Sequence, residues 1–534
     1  MGRVVANEEF LRALLTHNPY DQYHFYLSSR KQAENLRARL EAEFPELDFR
    51  FETRSELPGA LKRTRFEVFH LSDWVVGFVP LAALRNRFAK HIFPITGTIH
   101  SLSYARYHAE FLNHLWPGCT GRDAIIITSH AGKKVVEQAF DQLRENYRLP
   151  ENFSQPQLAH IPLGIPFVPN LEDVARWRNE GRKELGLSSD ELMLLYLGRI
   201  NHATKKDMLP LLRMLKRMGS EGVELNNIHL ILAGWIDDND EVESRLRGFA
   251  KALGIRLTLR AKPDDKERNR LYASADIFIS LVDNLQETFG ITLLEAASFG
   301  LPTIASDFDG YRDLVVHGKT GYLVPSLGPR ETGTCDVLAH AWPDSSFHLL
   351  FAQQSAMVVP EAAKYLTRLI GDSGLRLKMG EEGRKRVASM FTWHKLVPQY
   401  VDMWSELSQK ELPSELSGTR HPAQLSYQKL FSGHFSDQLA DQMQLVWSKS
   451  GEALYRGKEM PVIYEGIEEI FSLELLGKMM FLARKPVSIG LLAEKLREEG
   501  VDGENADYLL LWALKHDFLE LAPQAEPAGS GDQS

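Results

Sequence analysis

From its start to about residue 325 the chain alternates short apolar runs, rich in β-branched and aromatic residues, with amphipathic stretches. That alternation admits little besides βα units wound around parallel sheets. Candidate strands of a first series are Tyr23 to Leu27, Glu67 to Leu71, His91 to Thr96 and Ala124 to Thr128. A second series holds LMLLYLG from Leu192, then Ile228 to Gly234, Ile255 to Ala261, Asp276 to Leu281, Pro302 to Ser306 and Gly321 to Pro325. Between them lies QLAHIPLGIPFVPN, whose three prolines forbid a helix or a central strand and mark a linker. Two such domains enclose a cleft at the carboxyl ends of their strands, where ligands of open α/β sheets collect.

The expected fold class is α/β, two Rossmann-like doubly wound domains facing a cleft, with a mainly helical C-terminal extension. The expected domains are residues 1–165, 166–392, a crossover helix at 393–411, an extension at 412–522 that includes a winged-helix-like pair of helices, and a disordered tail at 523–534. VVANEEFLRALLTH reads as helix from the fourth residue, so the first domain is expected to lack its first strand, with Gly2 a remnant of the loop that follows it. Residues 331–358 show no period and read as a long loop. Helical patterns are expected around 427–448 and 462–482.

With 62 Lys+Arg against 71 Asp+Glu, the net charge of −9 lacks the cationic footprint of a nucleic-acid binder, and none is expected as a partner. Two cysteines, Cys119 and Cys335, give no disulfide framework or cysteine zinc site. No secretory signal or spanning segment is evident, so the reading is cytoplasmic, with peripheral contact at the inner face of a membrane left open.

The stretch QETFGITLLEAASFGLPTIAS carries the chemistry. It follows a strand, passes Thr288, Phe289 and Gly290, and opens a helix whose apolar positions nearly surround it. Glu295 sits in that apolar surface, where an unpaired carboxylate would cost several kcal/mol, so a partner is required. Glu287 lies on the preceding loop. Between the two carboxylates a helix start offers free N–H groups suited to a phosphate. Carboxylates accept from vicinal hydroxyls, so a sugar at each end of a diphosphate fits: a nucleotide sugar. After the strand ending at Gly198 stand Arg199 and Lys205, two cations suited to neutralising a departing diphosphate.

Glu287 and Glu295 in ETFGITLLEA, FGLPTIAS after them, and GRI with the following KKDMLPLL resemble the family 4 retaining glycosyltransferases of GT-B fold, over roughly residues 4–410. The resemblance implies that Glu287 contacts the transferred sugar, Glu295 holds the ribose, and Arg199 with Lys205, or Lys206 in its place, binds the diphosphate. Thr288, Phe289, Gly290 and Ile291 line the donor. It also implies a histidine facing the donor sugar, and His100 stands in the matching place. The implied reaction is metal-independent, cofactor-free hexosyl transfer with retention, as in polysaccharide biosynthesis. The donor would be a UDP- or GDP-sugar and the acceptor a glycan, a lipid-linked glycan or a protein. A noncatalytic GT-B-like scaffold and a nucleotide-sugar epimerase are the alternatives, and the extension is expected to serve a protein partner.

Three features are read as decoys. Asp309-Gly310 in SDFDGYRD reads as a turn rather than a metal motif, and HGKTG lacks the glycine of a P-loop at Asp313. PLAALRNRFAKHIF, with Arg85, Arg87 and Lys90, reads as a solvated helix face, with a lipid-contacting helix as the minority reading.

Overall fold

The computed structural model describes residues 2–203, 205–235, 240–412, 416, 420–464, 467, 472–501 and 503–522. The expected tail at 523–534 lies outside the described residues. The chain forms two compact units, Met1–Ala423 and Gln424–Ser534.

In the first unit, LMLLYL at 192–197 and IHLILAG at 228–234 are almost wholly buried. Such unbroken apolar runs suit strands covered on both faces. They belong to a six-stranded sheet in the order Gly321–Val324, Thr303–Ser306, Ile277–Ser280, Leu192–Leu197, Ile228–Gly234, Arg256–Ala261, with every pairing parallel. Counted within this lobe and read from the far edge, the order is 3-2-1-4-5-6. Its winding reverses between Leu192–Leu197 and Ile277–Ser280, and ligands of such sheets bind beyond the carboxyl ends of the strands at that point.

The N-terminal lobe holds a parallel four-stranded sheet, Phe69–Leu71, Ile95–Ile99, Ala124–Ile127 and Gln157–His160. A separate parallel pair is formed by Gln22–Leu27 and Asp48–Thr53. Among the described residues no strand joins the pair to the four. Side chains do, with Tyr26 stacked on Phe69 at 5.9 Å between ring centroids and His24 edge-on to Phe66 at 5.2 Å. The chain enters on a helix, Gly2–His17. The strand expected at His91 to Thr96 starts only at Ile95, because Pro94 has no N–H to give a ladder. Gln157–His160, inside the proline-rich stretch, pairs on one side only, which is where such a stretch can be a strand.

The helix Trp393–Ser408 returns from the second lobe to the first. Trp393, Leu396, Val397, Tyr400, Trp404 and Leu407 follow a helical period and are all buried. Phe10 of the entry helix stacks against Tyr400 at 4.6 Å and meets Trp393 edge-on at 5.7 Å. Trp404 Nε1 donates to Thr96 Oγ1 at 2.9 Å, fastening this helix to the second strand of the four-stranded sheet.

Three expectations are corrected. Residues 331–358 are not a structureless loop: they hold the helices Gly333–Ala341 and Asp344–Ala352, and Ser326–Leu327 pairs with Ala356–Met357. Each helix is nine residues, too short for a period to show, and Cys335, Phe347 and Ala352 are buried only through tertiary packing. Arg85 is not on a solvated face. It is fully buried, its guanidinium bridging both Asp123 carboxylate oxygens at 2.5 and 3.1 Å and donating to Phe93 O at 2.8 Å. A lipid-facing role for that residue is thereby removed.

The third correction concerns the second unit. Residues 427–448 are helical only at Tyr427–Phe431 and in a 3-10 turn at Ser432–His434, while Gln444–Trp447 is a strand. That strand pairs antiparallel with both Val487–Ser488 and Leu519–Leu521, a tertiary context that local propensity does not register. Of the pattern expected at 462–482, the helix Leu473–Leu482 is present. The helices Ile489–Glu498 and Gly503–Lys515 follow, around a core that includes Leu492, Leu496, Leu509 and Leu510. No helix among the described residues is long and apolar enough to cross a membrane.

Candidate active site

The reversal point of the second lobe is built from two strand ends. The strand Leu192–Leu197 stops at Gly198, which has φ +155, and a Cβ at Gly234 on the neighbouring strand would lie 2.0 Å from Gly198 O. Only glycine at position 234 lets the backbones approach this closely. Arg199 follows, and its Nη1 donates to Gln286 Oε1 at 3.2 Å. Gln286 Nε2 in turn donates to the Tyr104 hydroxyl of the first lobe at 2.9 Å.

The strand Ile277–Ser280 feeds the loop to Gly290, and the helix Ile291–Ser298 starts there. Gly290 has φ +104, and a Cβ on it would stand 2.3 Å from the Tyr311 ring. This helix start therefore requires glycine. Glu287, only 7% exposed, is held in the loop by Lys205, whose Nζ lies 2.7 Å from its Oε2. The Tyr311 hydroxyl, itself 2.9 Å from Ser280 Oγ, approaches the same carboxylate oxygen at 3.4 Å.

Lys206 points elsewhere. It is 2% exposed, its Nζ stands 3.8 Å from the centroid of the Tyr196 ring, and it has no hydrogen-bond acceptor. Burial brings its ammonium down to about 7, against the pull of Asp283 and Glu287. Burial also pushes the Asp283 carboxyl up to about 7, although the Asp207 N–H donates to it at 3.4 Å. The strand ends thus gather two lysines and two carboxylates, three of the four side chains buried, where charges act on each other more strongly than in water.

Glu295 has the partner that its apolar setting requires. The Tyr272 hydroxyl donates to its Oε2 at 2.7 Å and Arg268 Nε lies 3.9 Å from Oε1. Burial raises its pKa, and Arg268 and the Tyr272 phenol pull it back. Its contacts are separate from those of the Lys205–Glu287 pair, and Asp265 adds a smaller upward push on its pKa.

His100 follows the strand Ile95–Ile99 directly. Its backbone carbonyl accepts from Thr288 Oγ1 at 2.9 Å, so the first lobe touches the loop that carries Glu287. Its ring Nε2 lies 2.8 Å from Asn7 Oδ1 of the entry helix. Asp309 adopts φ +44 and its carboxyl is pushed up to about 7, by burial first and by Glu287 second. The structure thus ties Lys205 to Glu287, Arg199 to Gln286 and Thr288 to the His100 carbonyl, while the Lys206 ammonium turns to Tyr196, the His100 ring to Asn7, and Glu295 to Tyr272 and Arg268. Tyr311, Tyr272, Asp283 and Asn7 carry no motif that sequence reasoning could have used.

Residues 178–330, which contain this whole C-terminal half of the site, match the family model of glycosyl transferases group 1. That segment, less than a third of the chain, is of the group 1 glycosyltransferase kind. This glycosyltransferase is 22% identical over 361 residues to an uncharacterized glycosyltransferase of Methanocaldococcus jannaschii, an alignment of 65% of this chain and 77% of the relative. It is 28% identical over 214 residues to a D-inositol 3-phosphate glycosyltransferase of Actinosynnema mirum, covering 39% of this chain and 50% of that one. A phosphatidyl-myo-inositol mannosyltransferase of Mycobacterium tuberculosis is 30% identical over 158 residues, 30% of this chain and 39% of the relative. The chain thus spans half or less of the last two. Among solved structures, sucrose-phosphate synthase of Thermosynechococcus elongatus aligns with a TM-score of 0.45 at 18% identity over 74% of this chain and 91% of that one. The Anabaena protein HepE, in complex with UDP, aligns at 0.48 and 14% over 74% and 96%. The two parallel-sheet lobes and the returning helix match the two-domain α/β architecture that the sequence resemblance implied.

Proposed function

We propose that this glycosyltransferase transfers a glycosyl unit from a nucleoside diphosphate sugar, a UDP- or GDP-sugar, with retention of anomeric configuration. The observation that carries the reading is the Lys205–Glu287 pair at 2.7 Å, set at the reversal point of the sheet beside Arg199 and a glycine-started helix. Lys205 and Arg199 take the diphosphate, and the helix start at Ile291 shares its charge. Glu287, released from Lys205, accepts from hydroxyls of the transferred sugar. Glu295, held by Tyr272 and Arg268, receives the ribose hydroxyls. Lys205 rather than Lys206, whose ammonium turns onto the Tyr196 ring, fills the diphosphate-binding role, and His100 faces the sugar from the first lobe.

In the reaction the bond from the anomeric carbon to the phosphate oxygen breaks and a bond to the acceptor oxygen forms on the same face. The acceptor proton passes to the leaving phosphate. Arg199 and Lys205 stabilise the charge that develops on that phosphate, which lowers the barrier where it counts. Side-chain cations fill the place of a metal in this scheme. The acceptor is a glycan, a lipid-linked glycan or a protein bound against the first lobe, and the extension at 412–522 serves a protein partner.

The test is donor hydrolysis and transfer with a panel of UDP- and GDP-sugars. Glu287→Ala should abolish turnover while leaving the thermal transition in place. Undiminished turnover in that variant overturns the assignment.

A further inference from the structure

Among the described residues, one group of at least three metal-ligating side chains comes together: His130, His160 and Asp313. His130 opens the helix His130–Tyr147 and His160 ends the strand Gln157–His160, both in the first lobe. Asp313 lies in the short helix Tyr311–Leu314 of the second lobe. One ligand atom from each falls within 4.8 Å of the others. His130 Nδ1 is 3.0 Å from Asp313 Oδ1, His160 Nε2 is 4.0 Å from Asp313 Oδ2, and the two imidazole centroids are 4.0 Å apart.

A hydrogen-bonded cluster would explain His130, whose backbone N–H also donates to Asp313 Oδ2 at 2.8 Å. It does not explain His160. The Nε2 of that ring is buried without a hydrogen-bond partner. It faces the Asp313 carboxylate at 4.0 Å, beyond hydrogen-bond distance, which leaves room for an ion between the two. Two imidazoles and one carboxylate suit zinc and its neighbours, and disfavour magnesium or calcium, which want oxygen. At bond lengths of about 2.0–2.2 Å, tetrahedral ligand atoms lie roughly 3.3 Å apart, so the spacings here need only small side-chain adjustments.

We propose that His130 Nδ1, His160 Nε2 and the Asp313 carboxylate bind one zinc ion that clasps the two lobes. The clasp sits two residues from Tyr311, whose hydroxyl faces Glu287. A zinc ion there ties the first lobe to the segment that lines the candidate active site. The proposal does not depend on the donor chemistry.

The full chain without a histidine tag, stripped with a chelator, is titrated with Zn²⁺ by calorimetry and with Co²⁺ by visible absorption. One equivalent should bind, with the intense d–d bands of a tetrahedral cobalt site. Affinity should fall roughly tenfold or more in His160→Ala and in Asp313→Ala. His130, 71% exposed at its side chain, provides a variant that cannot perturb a core: His130→Ala should lose the same bands with an unchanged thermal transition of the apo protein. Absence of saturable binding, or binding that survives in His130→Ala and His160→Ala alike, overturns the proposal.

Discussion

Glu9 of the entry helix gives the sharpest physical prediction. Its carboxyl lies against Trp393, Glu295 and Arg268, its Oε2 is buried without a partner, and its pKa is pushed from 4.5 up to about 7, chiefly by burial. Between those two values the folded protein keeps the proton and the unfolded chain releases it. The unfolded state therefore binds fewer protons, and stability falls as pH rises. The stabilising proton is present below 4.5 and lost through 7. Above 7 the folded state carries a buried charge at a constant cost. From pH 5 to pH 8.5 the full shift corresponds to about 2.5 kcal/mol, reduced to about 2 kcal/mol for the part of the carboxyl that water reaches. Glu9→Gln removes the titration and keeps the shape. Urea unfolding of both proteins at the two pH values reads it directly: the variant should gain about 2 kcal/mol on the parent on going from pH 5 to pH 8.5. A difference between the two proteins that does not change with pH would refute the burial argument.

Three other perturbations test packing and backbone. Arg85→Met leaves Asp123 charged in the core and should cost about 3–5 kcal/mol in urea unfolding, whereas Arg85→Met with Asp123→Leu should recover much of that loss. Trp404→Ala empties the contact with Thr96 and should cost about 3–5 kcal/mol, with Trp404→Phe, which keeps most of the ring, well below it. Gly290→Ala drives a methyl into the Tyr311 ring and an unfavourable φ; it should weaken UDP or GDP binding, by calorimetry, more than tenfold, and unchanged binding would show that the helix start is not part of the donor site.

The second lobe was the more legible because its strands are unbroken apolar runs, and its two glutamates announce themselves by spacing and by the burial of Glu295. Glu295 required a partner, yet nothing in the sequence pointed to Tyr272 or Arg268, which arrive from a different helix. The same holds for Arg85: an arginine amid Leu81, Ala82 and Phe88 reads as a surface cation unless the distant Asp123 is known to lie beside it. Periods also fail on elements shorter than three turns, as at Gly333–Ala341. The strand Asp48–Thr53 escaped because only Phe49 and Phe51 of its six residues are buried. His130, His160 and Asp313 share no local pattern at all; only the approach of the two lobes brings them together.

The bond from Trp404 to Thr96 spans 308 residues of sequence. At about 5–20 residues per second, a ribosome that has delivered Thr96 needs roughly 15–60 s more to deliver its partner. During that interval the face of the first lobe formed by Phe10 and His70 is without Tyr400 and Trp404, which later cover it. The nascent first lobe is thus born with an aromatic surface exposed, and truncations that stop before residue 393 should expose it permanently.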